Sequence, residues 1–75
     1  MPHVIVKMKV GRTEEQKQAL AAAIVREVVI ALGNKPETVS VAIDEIPADD
    51  WKDSVYTPLL GEDADNLYVR PGYSM

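Results

Sequence analysis

The first ten residues alternate between apolar and polar side chains with a period of two. Four apolar residues share one parity, namely Val4, Val6, Met8 and Val10. The opposite parity holds His3, Ile5 and two lysines. This alternation predicts a β-strand with one face toward a core. Pro2 has the parity of the apolar residues and opens the strand, where a proline is tolerated because it has no N–H to give to a sheet.

A helical pattern follows this strand. Thr13 and Gln16 form a capping box, in which each side chain bonds the backbone N–H of the other residue. Gly33 is a favourable residue just beyond a helix end. We therefore predict a helix from Glu14 to Leu32. Apolar residues occupy most of its circumference, and a two-stranded sheet is too narrow to cover them all.

A second strand is predicted from Val39 to Ile46, because apolar residues again alternate with more polar ones. Strand, crossover helix and strand form a βαβ unit with two parallel strands and a right-handed crossover. No glycine-rich fingerprint follows the first strand, so the sequence argues against a dinucleotide-binding fold.

The last third of the chain predicts shorter elements. Residues 48–56 are typical of a short helix with acidic residues in its first turn, and residues 57–66 predict a loop. Residues 67–70 predict a short strand that a Pro-Gly pair stops. No repeat or linker divides the chain, so we expect a single domain of α/β (α+β) class over residues 1–75.

The small size of the chain predicts an oligomer. It has 75 residues and no cysteine, so no disulfide can compensate for a small core. Yet 47% of the residues are hydrophobic, and the predicted helix has an unusually wide apolar face. We expect two βαβ units to join edge to edge into a four-stranded sheet, with the apolar tail Tyr73–Met75 docked on the partner.

Charge and composition exclude several classes of function. The formal net charge of -4 argues against nucleic acid as the main partner, because binding to phosphates needs a basic surface. No long apolar run predicts a membrane span, and no signal-peptide pattern is present. With no cysteine, this composition leads us to expect a cytoplasmic protein. No cluster of Cys and His residues predicts a metal site.

Pro2 is a candidate catalytic base. If Met1 is removed, Pro2 carries a free secondary amine that the following strand holds in place. An α-amino group has a pKa near 8, and an apolar environment or a nearby cation lowers that pKa. The amine could therefore be neutral at operating pH and accept a proton.

Arg12 is a candidate anion-binding residue. It follows the first strand, at the end of a parallel sheet where ligands usually bind, and its planar guanidinium matches a carboxylate. A strand of this length separates Pro2 and Arg12 by roughly 30 Å. The two residues can meet only if Arg12 comes from another protomer or the chain bends back at Gly11.

Several stretches of the sequence resemble the 4-oxalocrotonate tautomerase family of the tautomerase superfamily. They are residues 1–7 (MPHVIVK), 11–17 (GRTEEQK) and 41–46 (VAIDEI). The part from Asp50-Trp51 to Tyr73 is similar to the branch that includes small bacterial phenylenolpyruvate tautomerase-like proteins. Together these stretches cover nearly the whole chain.

The resemblance implies roles for particular residues. Pro2 is the expected base after removal of Met1, Arg12 is the expected carboxylate-binding arginine, and Trp51 takes the place of an aromatic residue that lines the pocket. A second arginine of the family falls at Ser40 here, which argues against dicarboxylates and favours a monoacid with an aromatic or other apolar tail. Arg70 is a candidate to replace the missing charge.

The resemblance also implies a cofactor-independent tautomerase that acts on a small carboxylic acid. It favours a homodimer over a hexamer, because the C-terminal part resembles the dimeric branch. Two other functions stay open. One is hydration or dehalogenation of a small unsaturated acid, which needs a carboxylate to activate water, and the candidates are Asp44, Glu45 and Asp50. The other is a non-catalytic oligomeric binding protein.

Overall fold

Two parallel strands and a crossover helix form the framework of the computed structural model, which describes residues 1–75. Strand β1 is His3–Lys9 and strand β2 is Ser40–Ile46. The strands pair in a single register, with His3 opposite Ser40 and Lys9 opposite Ile46. The predicted βαβ unit is confirmed, and each strand begins one residue later than the side-chain pattern suggested.

The crossover helix α1 spans Glu14–Leu32, as predicted. The N–H of Gln16 donates to Thr13 Oγ1 at 3.1 Å, and the N–H of Thr13 donates to Gln16 Oε1 at 2.9 Å, which confirms the capping box. Gly33 ends the helix with φ of 70°, and its N–H donates to the carbonyl of Val29 at 2.9 Å. None of the helices combines the length and the apolar character that crossing a bilayer requires.

The predicted alternation of apolar and polar side chains along β1 is also confirmed. Val4, Val6 and Met8 are half-buried, while the residues between them are exposed. Burial is nevertheless shallow throughout the chain. Val55, with 7% of its surface exposed, is the one buried residue, and α1 contains none.

The helical segment after β2 runs further than predicted. A 3₁₀ turn over Ala48–Asp50 leads into a π-helical stretch over Lys52–Tyr56, and helix α2 follows at Thr57–Leu60. The prediction of a loop from residue 57 is therefore wrong for its first four residues. Pro58 lies in the first turn of α2, where a proline is tolerated because no N–H is needed there.

The predicted strand at residues 67–70 is absent. This stretch follows a 3₁₀ turn over Ala64–Asn66 and has no regular structure. Tyr68 and Val69 are 101% and 85% exposed. A strand exists only where a neighbouring strand accepts its hydrogen bonds, and the sheet of this chain contains β1 and β2 alone.

An ion pair connects α1 to β2. The ammonium of Lys17 lies 2.7 Å from Glu45 Oε1 on β2 and 3.3 Å from Glu14 Oε2 on its own helix. Its hydrogen bonds to Glu45 and then to Glu14 raise the pKa of Lys17 above the ordinary value of 10.5. The charged form of Lys17 is thus favoured in the folded protein.

We expect Glu45→Gln to lower the denaturation midpoint at neutral pH, with a difference from wild type that shrinks at strongly alkaline pH. A raised pKa in the folded state contributes stability that is present below pH 10.5 and lost as pH rises through the folded-state pKa of Lys17. Urea denaturation across that range measures the effect. Glu62→Gln, at an exposed residue without an ion pair, is the control. A pH-independent difference for Glu45→Gln would contradict this assignment.

Candidate functional site

Gly11 directs the chain from β1 toward α1 and thereby places Arg12. Its φ of 135° is a conformation that residues with a Cβ rarely adopt. Just before it, the N–H of Val10 donates to the carbonyl of Ile46 at 3.1 Å, so the sheet is held up to the turn. Arg12 therefore lies beside the C-terminal end of β1, as expected from the sequence.

A cavity of about 450 Å³ lies next to this end of β1. It brings together two residues that the sequence predicted for the site, Arg12 and Trp51. The full lining consists of Lys7, Met8, Lys9, Arg12, Trp51, Tyr73 and Met75. The cavity thus combines basic side chains from the strand and its turn with aromatic and apolar side chains from the C-terminal part.

Trp51 and Tyr73 form the aromatic wall of this cavity, and Tyr56 packs behind Tyr73. The Nε1–H of Trp51 donates to the hydroxyl of Tyr73 at 3.0 Å. The ring of Tyr73 lies 5.5 Å from that of Tyr56, at a tilt of 34°. Tyr73 of the C-terminal tail therefore contacts its own chain, and the docking of this tail on a partner stays a prediction. The sequence suggested the tyrosines in general, beside Trp51, as walls for an apolar tail, but it did not single out Tyr73, because the contact with Trp51 spans 22 positions along the chain.

Pro2 lies at the other end of β1 and lines none of the cavities of the chain. It is half-buried, and its carbonyl accepts a hydrogen bond of 3.2 Å from the N–H of Ser40. Ser40 Oγ also lies 2.6 Å from Nδ1 of His3. Within one chain, Pro2 and Arg12 are therefore not brought together.

The remaining predicted residues lie away from the Arg12 cavity. Arg70 is exposed and lines no cavity of the chain. Of the candidate carboxylates, Glu45 is paired with Lys17, Asp44 stands opposite Lys7 in the sheet, and Asp50 ends the 3₁₀ turn before Trp51. None of the three lines the cavity. No group of three His, Cys, Asp or Glu side chains is arranged to hold a metal ion.

Comparison with known proteins gives consistent results. A family model described as tautomerase enzyme matches residues 2–52. A probable tautomerase from Xylella fastidiosa (strain 9a5c) is 40% identical over 97% of this chain and 89% of its own length. Tautomerase PptA from Enterobacter sp. (strain 638) is also 40% identical, over the full length of both chains.

A solved structure shares the fold with a TM-score of 0.63 and 35% identity, over 65% of this chain and 92% of its own. That structure belongs to a structural and mechanistic analysis of trans-3-chloroacrylic acid dehalogenase activity. The family match covers more than half of the chain, and the relatives align with it almost from end to end. With its βαβ unit and its shallow, largely exposed core, this chain belongs to the tautomerase family of enzymes.

Proposed function

We propose that this protein catalyses enol–keto proton transfer on a small 2-oxo acid, with Pro2 as the general base. The observation that carries the proposal is the position of Pro2. It directly precedes β1, and the family match begins at this residue. Removal of Met1 converts its amide nitrogen into a secondary amine.

The strand would hold this amine in a defined position. The hydrogen bond from the N–H of Ser40 restrains the carbonyl of Pro2, and the pyrrolidine ring removes rotation about φ. Neutral Pro2 takes a proton from the enol hydroxyl or from carbon and returns it to the other atom. A base does this best when its pKa lies near the operating pH.

Arg12 supplies the second part of the mechanism. Its guanidinium binds the substrate carboxylate through two parallel hydrogen bonds and favours negative charge on the adjacent oxygen. Because Pro2 and Arg12 lie at opposite ends of β1, roughly 30 Å apart at this strand rise, we propose that one chain supplies Pro2 and another supplies Arg12.

The exposed surface of the chain supports self-association. A folded monomer of 8.3 kDa is expected to expose about 4,600 Å², whereas this chain exposes 5745 Å². The excess is larger than the roughly 800 Å² that each partner buries in a standard interface. Large apolar side chains account for part of it, including Ile30 at 73% and Leu32 at 64% exposure.

We therefore expect light scattering at micromolar concentration to return at least twice the chain mass of 8.3 kDa. A homodimer with a shared four-stranded sheet is our preferred assembly, since it covers exposed sheet edges and apolar helix surface together. A dilution series shows whether the assembly dissociates. A mass of one chain at every concentration would rule out a site built from two copies.

The aromatic wall indicates the kind of substrate. Trp51 and Tyr73 present flat apolar surface beside Arg12. We propose an enol acid whose tail is aromatic or otherwise apolar, with its carboxylate on Arg12 and its tail against Trp51.

Pro2→Ala should lower kcat/KM on a phenyl-substituted enol acid at least about tenfold, equivalent to about 1.4 kcal/mol of transition-state stabilisation. The change replaces a rigid secondary amine with a mobile primary amine. A variant with one residue retained before Pro2 should lose more, because an amide nitrogen does not accept the proton. Intact mass establishes the amino terminus of each sample. If a variant shown by its mass to retain a residue before Pro2 turns over the enol acid at the wild-type rate, this mechanism is excluded.

Arg12→Ala should raise KM, and it should also lower kcat if the contact strengthens in the transition state. Arg12→Lys should restore only part of the loss, because an ammonium lacks the planar pair of donors. Arg26→Ala serves as the control, since Arg26 is exposed on α1 and lines no cavity. Steady-state kinetics that do not distinguish Arg12→Ala from this control would remove Arg12 from the site.

A dehalogenase-type reaction is the second candidate, favoured by the solved structure that concerns such an activity. That chemistry would require a carboxylate to activate water, and no carboxylate side chain lines the Arg12 cavity. Chloride release from trans-3-chloroacrylate, measured beside enol turnover, separates the two activities.

A further inference from the structure

Three cationic side chains converge on the Arg12 cavity. Lys7 and Lys9 share one face of β1, with Cα atoms about 7 Å apart at the rise of a strand. Arg12 follows after the turn. The cavity lining contains no acidic side chain. This concentration of positive charge occurs in a chain whose formal net charge is -4.

None of these three cations forms an ion pair within the chain. No Asp or Glu carboxylate lies within 4 Å of the charged nitrogens of Lys7, Lys9 or Arg12, whereas Lys17 is paired with two carboxylates. Asp44 stands opposite Lys7 in the sheet, but it does not form an ion pair with it. Like charges held around a shared space repel one another, and an anion bound between them relieves that repulsion.

The opposite side of the cavity accepts an aromatic ring. Trp51 is held in place by its hydrogen bond to Tyr73, so the wall is restrained before a ligand binds. Ser40 is paired with His3 at the far end of the sheet and lines no cavity of the chain. The cations available to a ligand in this cavity are therefore Lys7, Lys9 and Arg12 of its lining.

We propose that the cavity binds an aromatic acid with two anionic groups, one held by Arg12 and the other by Lys7 and Lys9. The two lysines thus bind the second anionic group and determine specificity for a dianion over a monoanion. This inference rests on the proposed function only in taking the Arg12 cavity as the substrate site. It narrows the proposed enol acid with an aromatic tail to one whose ring carries a second anionic group, whereas Ser40 alone favoured a monoacid.

Trp51 makes a direct binding test available, because it is the only tryptophan of the chain. Its fluorescence is titrated in the wild-type protein with phenylacetate and with 4-carboxyphenylacetate, which share a ring and differ in one carboxylate. We expect the dianion to bind about tenfold more tightly at low salt, since each exposed ion pair contributes up to about fivefold. Added salt should reduce this preference.

Lys7→Gln and Lys9→Gln should each weaken binding of 4-carboxyphenylacetate about threefold to fivefold and leave phenylacetate almost unchanged. Lys35→Gln is the matched control, because Lys35 is exposed and lines no cavity. Equal affinity of the wild-type protein for the two probes would overturn the proposal. So would a dianion preference that survives both lysine substitutions. If a variant does not fold, the salt dependence of the wild-type preference decides.

The test is independent of turnover, because neither probe is an enol. A dianion preference that depends on the lysines, in a protein that does not convert enol acids, would refute the proposed reaction and support this inference. Turnover of enol acids by a protein that binds both probes equally would do the reverse.

Discussion

The parallel pairing of β1 with β2 is the interaction on which the rest of the structure depends. Parallel strands need a long crossover, so α1 must cover one face of the sheet and return the chain to the end at which β1 began. The register sets Ser40 beside His3 at one end and Ile46 beside Lys9 at the other. Pro2 and Arg12 flank β1, and the length of the strand therefore separates the proposed base from the proposed anion-binding residue.

A shortage of burial follows from the same framework. A two-stranded sheet covers only part of a 19-residue helix, and Val55, still 7% exposed, is the one buried residue of the chain. The radius of gyration of 13.9 Å exceeds the roughly 11 Å expected for a compact domain of this length. Hydrophobic surface left open in this way is the driving force for association. The second copy that we propose would cover part of this surface and would bring a Pro2 to the Arg12 cavity.

Charge is distributed unevenly over this small acidic protein. Lys17 uses its charge to join α1 to β2, with carboxylates on both elements. Lys7, Lys9 and Arg12 form no ion pair within the chain and line the cavity beside Trp51. One cation of this region is paired within the chain and three neighbouring ones are not, and the proposed anionic ligand would supply the negative charge that these three lack.

The sequence by itself determined the helix and the strands, because their signals act over a few neighbouring positions. The capping box of Thr13 and Gln16 fixes the first residue of α1, Gly33 fixes its end, and the period of two identifies β1 and β2. It also singled out Arg12 and Trp51, which the fold brings to one cavity. Pairing across long distances was decided by the tertiary structure alone. The stretch 67–70 has the composition of a strand but no neighbour to bond, and the contact of Tyr73 with Trp51 appears only once the tail has folded back.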